Sequence, residues 1–227
     1  MTQEPAADTS TTWRDMAVAR SLDPARARAE KRVQRFLDAA LELMSSSETK
    51  DFTVQQVVER SGQSLRSFYQ YFAGKYELLL ALFEESVRNT AEHLAKTIEG
   101  IDDPLERLRV LLAEYYRVCT PRKGGKAPRT PSPNPAAIAE FAQQLLTEHP
   151  REAAQAFAPL VALVEEVLVE AATAGVIRPK LGHRRLAGVL LNEIMFNAFA
   201  STISGSPVRE GGGDELWDLV LHGIAAR

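Results

Sequence analysis

The chain has 227 residues, 45% of them hydrophobic, which is enough to bury one large core or two smaller ones. A formal net charge of −3 excludes a basic protein overall, so any affinity for nucleic acid must come from a local patch. The one cysteine, Cys119, excludes a disulfide framework or a cysteine-based metal cluster within the chain and agrees with a cytoplasmic location, which we expect.

The first part of the chain, residues 1–28, is small and polar at its start and then rich in arginine. It has no apolar core, so we expect no secretory signal and predict a flexible basic arm. In one interpretation, Arg26 and Arg28 enter the minor groove of DNA. In the other, the stretch is a solvated extension of the first helix, with Asp23 and Glu30 offsetting its charge.

Helical spacing of apolar residues dominates the rest of the chain, with almost none of the alternation typical of strands. This pattern predicts an all-α fold. Residues 29–76 are predicted to form an N-terminal domain of three helices joined by tight turns. The expected helices cover about residues 29–46, 53–60 and 64–72.

The region that follows is predicted to form longer helices. These cover about residues 74–98, the segment opened by Pro104 that includes Cys119, and residues 136–148, 151–174, 183–204 and 214–225. Residues 120–135 contain five prolines and no aliphatic residue larger than alanine, so we predict a flexible loop there. The most apolar segment is broken by Asn192, Glu193 and Asn197, so we predict no membrane span.

The predicted helix at 183–204 is apolar nearly all round, and the last predicted helix is similar. The core of one chain can cover one face of each, and a second subunit is the simplest cover for the other face, so we predict a homodimer. A thick core within one chain is the alternative. The residues predicted to form the dimer interface are Leu186, Leu190, Ile194, Asn197, Leu216, Trp217, Val220, Leu221 and Ile224.

The segment SGQSLRSFYQYF, residues 61–72, predicts a helix too short to be stable alone in water. Phe68 and Phe72 share one face, which indicates a helix–turn–helix whose first helix holds the second in place. The other face has large polar side chains that suit a DNA major groove, where arginine pairs with guanine and glutamine with adenine. A plain helical hairpin with a solvated face is the alternative.

Residues 33–83 resemble the DNA-binding domain of the TetR family of bacterial transcriptional regulators. The resemblance is carried by Ala39, Ala40, Leu41, Leu43, Met44, Thr53 and Val54 and, without a gap, by Gly62, Ser64, Phe68, Tyr69, Phe72, Lys75 and Leu78. Three features depart from the family pattern: the pair Leu65–Arg66 replaces small or polar residues, Tyr71 replaces a common histidine, and Gln63 replaces an apolar residue. These departures leave the operator sequence open.

The resemblance implies an N-terminal three-helix helix–turn–helix DNA-binding domain plus a larger C-terminal helical domain, residues 77–227, for ligand binding and dimerisation. It further implies a repressor that binds palindromic, double-stranded operator DNA as a dimer. The positions expected to contact DNA are Thr53, Gln55, Ser64, Leu65, Arg66, Ser67, Tyr69, Gln70, Tyr71 and Lys75, together with Arg26 and Arg28 of the arm.

In that family the C-terminal helices enclose a small-molecule pocket, and ligand binding changes the spacing of the two recognition helices. The mixture of aliphatic and aromatic groups suggests a hydrophobic or amphipathic ligand. The candidate lining residues are Leu112, Tyr115, Tyr116, Phe141, Leu145, Phe157, Leu160, Val164, Asn192, Met195 and Phe196. Most of these positions are equally consistent with a plain core at helical spacing.

Other function classes have little support in the sequence. The segment GGKA at 124–127 lacks the serine or threonine of a phosphate-binding loop, no G-x-S-x-G elbow occurs, and the four histidines lack metal-ligand spacing. We therefore expect no catalytic residue, metal or cofactor. The alternatives that stay open are a transcriptional activator, a ligand-independent regulator of the same fold, and an all-α small-molecule carrier or interaction protein without DNA binding.

Overall fold

The computed structural model describes residues 13–45, 52–120, 135–178, 180, 182–204 and 212–224, and within these ranges the chain is all-α, as predicted. The helices are α1 (Trp13–Ser45), α2 (Val54–Ser61), α3 (Leu65–Tyr71), α4 (Lys75–Thr97), α5 (Pro104–Cys119), α6 (Pro135–Glu148), α7 (Pro150–Thr173), α8 (His183–Ser204) and α9 (Gly212–Ile224). None of the described helices is both long enough and apolar enough to cross a bilayer.

The bounds of α2 to α9 lie close to the predicted ones, but α1 begins at Trp13 rather than near residue 29. Residues 13–28 of the predicted flexible arm are thus helical in the structure, as the alternative of an extended first helix expects. Alanine and arginine favour helix there, and Arg26 Nε pairs with Glu30 Oε1 at 2.7 Å. Residues 1–12 of the predicted arm and 121–134 of the predicted loop lie outside the described residues.

The helix–turn–helix formed by α2 and α3 is set by local capping. The Thr53 hydroxyl accepts a hydrogen bond from the Gln56 amide at 3.2 Å, and the Gln56 side chain accepts one from the Thr53 amide at 2.8 Å. Gly62 ends α2 with a φ of 65°, a left-handed conformation that glycine adopts without strain. Ser64 then caps α3, so the turn between the two helices is short and fixed.

Two hydrophobic cores share the long helix α4. The first, which we call the head, is built from α1, α2, α3 and the start of α4, and it ends with Leu78 and Leu82. The second, which we call the body, takes α4 from Phe83 onward and packs it with α5 to α9. The head therefore extends past the boundary predicted at residue 76, to a point inside α4.

In the body, α7 is the central helix and packs against α4, α5, α6 and α8, while α9 packs against α5. Buried residues such as Leu160, Val164 and Leu168 recur along α7 at helical spacing. Helix α4 contributes buried residues to both cores. A displacement of its neighbours in the body therefore acts on a helix that also packs in the head.

Candidate nucleic-acid interface and ligand cavity

Helix α3 has seven residues and depends on the head for its stability. Phe68 is fully buried, with its ring edge-on to Phe36 at a centroid distance of 5.4 Å. The Ser64 hydroxyl accepts a hydrogen bond from the Ser67 amide at 3.1 Å and caps the helix. With that side packed, Leu65, Arg66 and Gln70 are exposed on the outer face of the helix.

The other predicted DNA contacts on α3 divide into exposed and partly buried groups. Tyr69 is 56% exposed, whereas Tyr71 is half-buried against the head core. Ser67 lies at the edge of the core, and its Oγ is buried without a hydrogen-bond partner among the described residues. The structure thus brings most of the predicted positions on α3 to one surface and leaves Tyr71 partly inside.

The predicted contacts outside α3 already have local roles. Thr53 caps α2, and Gln55 Nε2 donates to Glu59 Oε1 at 3.1 Å, yet both residues remain exposed. Lys75 lies at the first turn of α4, with Nζ 4.5 Å from the centroid of the Phe52 ring. These positions lie at the N-terminal ends of α2 and α4, where backbone amides and the helix dipole favour a phosphate.

A concavity of about 420 Å³ lies beside α3, and the described residues that line it are basic, small or polar. Its walls are formed by Arg32, Arg35, Gly62, Gln63, Ser64, Arg66, Ser67 and Gln70. Gln63 Nε2 donates to the Arg32 carbonyl at 2.9 Å and ties the turn before α3 to α1. Among the residues that the structure describes, the walls therefore present three guanidinium groups and no carboxylate beside the exposed face of α3.

Sequence reasoning missed Arg32 and Arg35 as parts of this surface. Their spacing of three places both on one face of a helix, which could have indicated a basic stripe. Arg26 and Arg28, which were predicted to reach DNA, lie farther toward the start of α1 and are exposed. Arg26 pairs with Glu30, and Arg28 Nε donates to the Pro24 carbonyl at 2.9 Å.

The residues of the predicted dimer interface on α8 and α9 differ in how far the single chain buries them. Leu190, Ile194 and Val220 are buried within the single chain, which leaves little of their surface for a second one. Leu186, Leu216 and Trp217 are partly buried against the body core, Leu221 is half-buried, and the side chain of Ile224 lies outside the described part. Asn197 is exposed, and its amide donates to Glu193 of the same helix, so it needs no partner across an interface.

The outer face of the same two helices carries several exposed apolar side chains among polar ones. Phe196 is 65% exposed, Leu219 is 72% exposed, and Val189 is also largely exposed. Asn192, Glu193 and Asn197 lie among these apolar residues on the exposed side of α8, so the polar residues of this nearly all-apolar helix share one side.

A second cavity, of about 440 Å³, lies in the body between the end of α6, the first half of α7 and α8. It is lined by Leu146, Pro150, Ala153, Ala154, Phe157, Val161, Arg185, Gly188, Val189, Leu191, Asn192 and Met195. Of the predicted lining residues, Phe157, Asn192 and Met195 contribute to it. Its volume falls in the range of small-molecule sites.

The remaining predicted lining residues do not line this cavity. Leu112, Tyr115, Phe141, Leu145, Leu160 and Val164 are buried core residues, Tyr116 is half-buried against the same core, and Phe196 faces outward. Sequence reasoning missed Arg185 and Gly188, because a cation and a glycine do not stand out within an apolar helix. The six buried positions pack in the body core, as the alternative of plain core packing expects.

The junction of α6 and α7 connects this cavity to the base of the head. Tyr76, in the first turn of α4, packs its ring against His149 at a centroid distance of 4.6 Å and against Phe141 at 6.1 Å. Burial, together with the charges of Glu152 and Glu148, raises the pKa of Tyr76. Its hydroxyl is buried without a partner among the described residues, so this contact is made through the ring.

Metal or nucleophile chemistry finds little support in the described ranges. No cluster of three or more histidine, cysteine or acidic side chains with the geometry of a metal site occurs there. Burial raises the pKa of Cys119 to about 11, so its thiol stays protonated at neutral pH.

Part of the chain is similar in sequence to known bacterial regulators. Residues 36–82 match the sequence profile of a family described as bacterial regulatory proteins, tetR family. Over 85 residues the chain is 25% identical to YvdT, an uncharacterised HTH-type transcriptional regulator of Bacillus subtilis strain 168. That alignment covers 37% of the present chain and 44% of the length of this curated relative.

Solved structures share the fold of almost the whole chain. FadR of Bacillus halodurans, a regulator of fatty acid degradation, superposes with a TM-score of 0.64 at 18% identity, covering 86% of this chain and 97% of its own. FadR of Bacillus subtilis, solved in complex with stearoyl-CoA, has a TM-score of 0.65 at 16% identity, covering 84% and 98%. At identities this low, the likeness establishes the fold alone.

Proposed function

We propose that this chain is a member of the TetR family of bacterial regulatory proteins, whose profile matches residues 36–82, and that it is a ligand-released repressor that binds a palindromic operator as a homodimer. The observation that carries the proposal is the arrangement of α3. Its apolar side is buried against Phe36, and its opposite side presents Arg66 and Gln70 beside a basic concavity. This arrangement gives a short helix with planar hydrogen-bonding groups and a surface for phosphates.

Within a major groove, these exposed groups have distinct roles. Arg66 suits the O6 and N7 acceptors of guanine, Gln70 suits adenine, and Leu65 suits a thymine methyl group. Tyr69 and Ser64 are placed at the flanks of the same helix, where hydroxyl groups bond phosphates and fix the register. Arg32 and Arg35 add charge from α1, so part of the phosphate contact comes from outside the helix–turn–helix.

The ends of two further helices complete the proposed contact surface. Thr53 and Gln55 begin α2, and Lys75 begins α4, so each can meet a phosphate at a helix N-terminus. The hydrogen bond from Gln63 to the Arg32 carbonyl holds α1 against the turn before α3. The surface is thus preorganised within one small core.

Release by a ligand follows from the connection between the two cores. Leu146 and Pro150 line the cavity in the body, and His149 between them contacts Tyr76 of α4. A molecule that enters the cavity therefore acts next to the helix that carries the head. Since a ligand shifts an equilibrium only by its different affinity for the two states, a releasing ligand must prefer the state that binds DNA poorly.

A small hydrophobic or amphipathic molecule suits this cavity, whose wall is mostly aliphatic with one aromatic ring. The shared fold with the Bacillus subtilis regulator solved with stearoyl-CoA supports a ligand-binding body. Dimerisation is proposed through the outer face of α8 and α9, where Val189, Phe196 and Leu219 are exposed. A two-fold symmetric dimer would present two copies of α3 to a palindromic site.

The test is fluorescence anisotropy of the purified chain on the DNA just upstream of its own gene, across a series of salt concentrations. We expect tight binding that weakens steeply with salt, because phosphate contacts release counterions. Arg66→Ala should lose about 1–3 kcal/mol of specific affinity. The matched control is Arg60→Ala, which removes an exposed arginine of the head that pairs with Glu42 at 3.2 Å and should change affinity little.

Failure on that fragment leads to the same assay on sheared genomic DNA, where a distant operator would be found. Absence of salt-dependent binding to every fragment would overturn the regulator assignment and favour a carrier or interaction protein. In a reporter strain, the bound fragment should reduce transcription when the chain is expressed. Increased transcription there would instead identify an activator.

A further inference from the structure

The cavity between α7 and α8 has an apolar wall with very few polar groups. Phe157 and Val161 of α7 face Leu191 and Met195 of α8 across it, and Leu146 closes one side. Arg185 is the one charged residue that lines it in the described part of the chain, and Asn192 adds an amide. A site of this composition binds aliphatic groups by burying them, and its polar residues, Arg185 and Asn192, determine which headgroup it accepts.

Two neighbouring arginines at the start of α8 differ in their surroundings. Arg184 Nη1 pairs with Glu165 Oε2 at 3.1 Å on α7 and lies outside the cavity. Arg185 lines the cavity and has no ion-pair partner in the ranges that the structure describes. A guanidinium is a planar fork of donors that matches a carboxylate or a phosphate, and a neighbouring apolar wall strengthens such a pair.

The spacing along α8 aligns three features on one side of the helix. Gly188 and Asn192 follow Arg185 by three and seven residues, and all three line the cavity. A Cβ atom added at Gly188 would meet no atom within 4 Å, so the cavity reaches the backbone of α8 between the two polar side chains. A polar headgroup and an aliphatic chain can therefore lie along one continuous surface.

We propose that this cavity takes an anionic amphiphile, whose carboxylate or phosphate pairs with Arg185 while its aliphatic chain lies against Phe157, Val161 and Met195. This inference rests on the proposed function, because it names the ligand class of the same body. Asn192 supplies a second hydrogen bond to the headgroup. A neutral molecule of the same chain length lacks the charge-assisted pair and binds more weakly.

The test is isothermal titration calorimetry of the full chain with four probes that share a twelve-carbon tail, each below its micellar concentration. The probes are dodecanoate, dodecyl phosphate, dodecanol and dodecyltrimethylammonium. We expect at least one of the two anions to bind about tenfold or more tightly than dodecanol, as a hydrogen bond to a charged group would give. The two anions separate a carboxylate ligand from a phosphate one, and the cation should bind weakest.

Matched variants assign the effect to one side chain. Arg185→Gln should lower the affinity for the anion about tenfold and leave dodecanol unchanged, while Arg185→Lys should restore part of it. Arg184→Gln, which removes the neighbouring arginine with its external partner, should change neither affinity. Gly188→Leu should abolish binding of every probe by filling the cavity, and Gly188→Ala should do so only partly.

Several outcomes would overturn the proposal. Equal affinity for dodecanoate, dodecyl phosphate and dodecanol would do so, as would equal effects of Arg185→Gln and Arg184→Gln. Loss of a dimer in Arg185→Gln by sedimentation, with probe binding unchanged, would assign the cavity to contact between two copies of the chain. Circular dichroism of each variant confirms that the helices remain folded.

The same samples separate this inference from the proposed function. Binding to genomic DNA is measured by anisotropy without any probe present. DNA binding without anion-selective probe binding would overturn the ligand class alone. Probe binding that depends on Arg185, in a chain that binds no DNA, would support the ligand class and overturn the regulator assignment.

Discussion

In the head, the seven-residue α3 buries Phe68 and turns Arg66 and Gln70 outward, whereas the 24-residue α7 of the body divides its apolar side chains between a core and a cavity. Leu160 and Val164 of α7 are buried in the core, while Phe157 and Val161 line the cavity. In the head, packing and recognition use different residue types. In the body, core packing and the cavity wall both use apolar residues.

This difference determines how easily the effect of a substitution can be assigned in each region. A substitution in α3 can remove either the packing or the recognition, because Phe68 and its neighbour Tyr69 point to opposite environments. A substitution in α7 changes the core and the cavity wall together unless a polar or glycine position is chosen. The experiments that separate the two regions therefore use aromatic and charged residues in the head and polar or glycine positions in the body.

The largest expected effect comes from Phe68→Ala. Removing a fully buried phenylalanine should lower the free energy of unfolding of the head by about 3–5 kcal/mol and abolish DNA binding, because α3 loses its support. Urea denaturation followed by circular dichroism measures the first effect, and anisotropy on the bound fragment measures the second.

Tyr69→Ala is the matched control for that substitution. Tyr69 is mostly exposed and contacts Phe68 only edge-on, so its removal should cost about 1 kcal/mol or less of stability while weakening DNA binding. Equal destabilisation by the two variants would contradict the division of α3 into a packed and a recognising face.

The next effect concerns the basic concavity. Replacing Arg32 and Arg35 together by alanine should lower the slope of log affinity against log salt by about 1 for each phosphate that an arginine no longer neutralises. The affinity should fall similarly for all DNA sequences, because interactions with phosphates carry no base information. An unchanged slope, equal to that of Arg60→Ala, would restrict the DNA contact to α2, α3 and the start of α4.

The smallest effect concerns pH and the body. A hydrogen bond from Arg117, together with His93, holds the pKa of Glu114 below its ordinary value of 4.5, and the Glu114 side chain is only 14% exposed. Because the unfolded chain takes up this proton first as pH falls, the stabilisation is present above about pH 4.5 and is lost as pH falls through the lower, folded pKa. Glu114→Gln should remove this part of the pH dependence of the melting temperature.

Glu106→Gln provides the comparison for that measurement. Glu106 pairs with Arg109 at 2.7 Å, and this hydrogen bond also lowers its pKa, but its side chain is more exposed and solvent screens the pair. Glu106→Gln should therefore change the pH dependence of the melting temperature at acid pH less than Glu114→Gln does. A larger effect of Glu106→Gln than of Glu114→Gln would contradict the expectation that the less exposed Glu114–Arg117 pair stabilises the fold more.

Much of the head was predictable from the sequence because its signals are local. The caps at Thr53 and Ser64, the left-handed Gly62 and the shared face of Phe68 and Phe72 lie within about 20 residues of one another. The exposure of Arg66 and Gln70 follows from that face. The contribution of Arg32 was not predictable in the same way, because it depends on how α1 crosses the turn before α3.

The body was less predictable because its functional surfaces depend on the rotation of long helices. In α8, Leu190 and Ile194 were predicted to face a partner but are buried, whereas Val189 and Phe196 one or two positions away are exposed. Both sets are apolar, so composition does not distinguish them. The cavity likewise depends on the packing of α6, α7 and α8, which no single segment determines.

The most direct test of the central claim, that α3 reads DNA through its exposed face, is selection of bound duplexes from a randomised pool by the wild-type chain and by Arg66→Ala. We expect the wild type to enrich a two-fold symmetric sequence. The variant should lose base preference at one position in each half-site, and the remaining positions should be unchanged. Identical enriched sequences for both proteins, or no enrichment by the wild type, would contradict the claim.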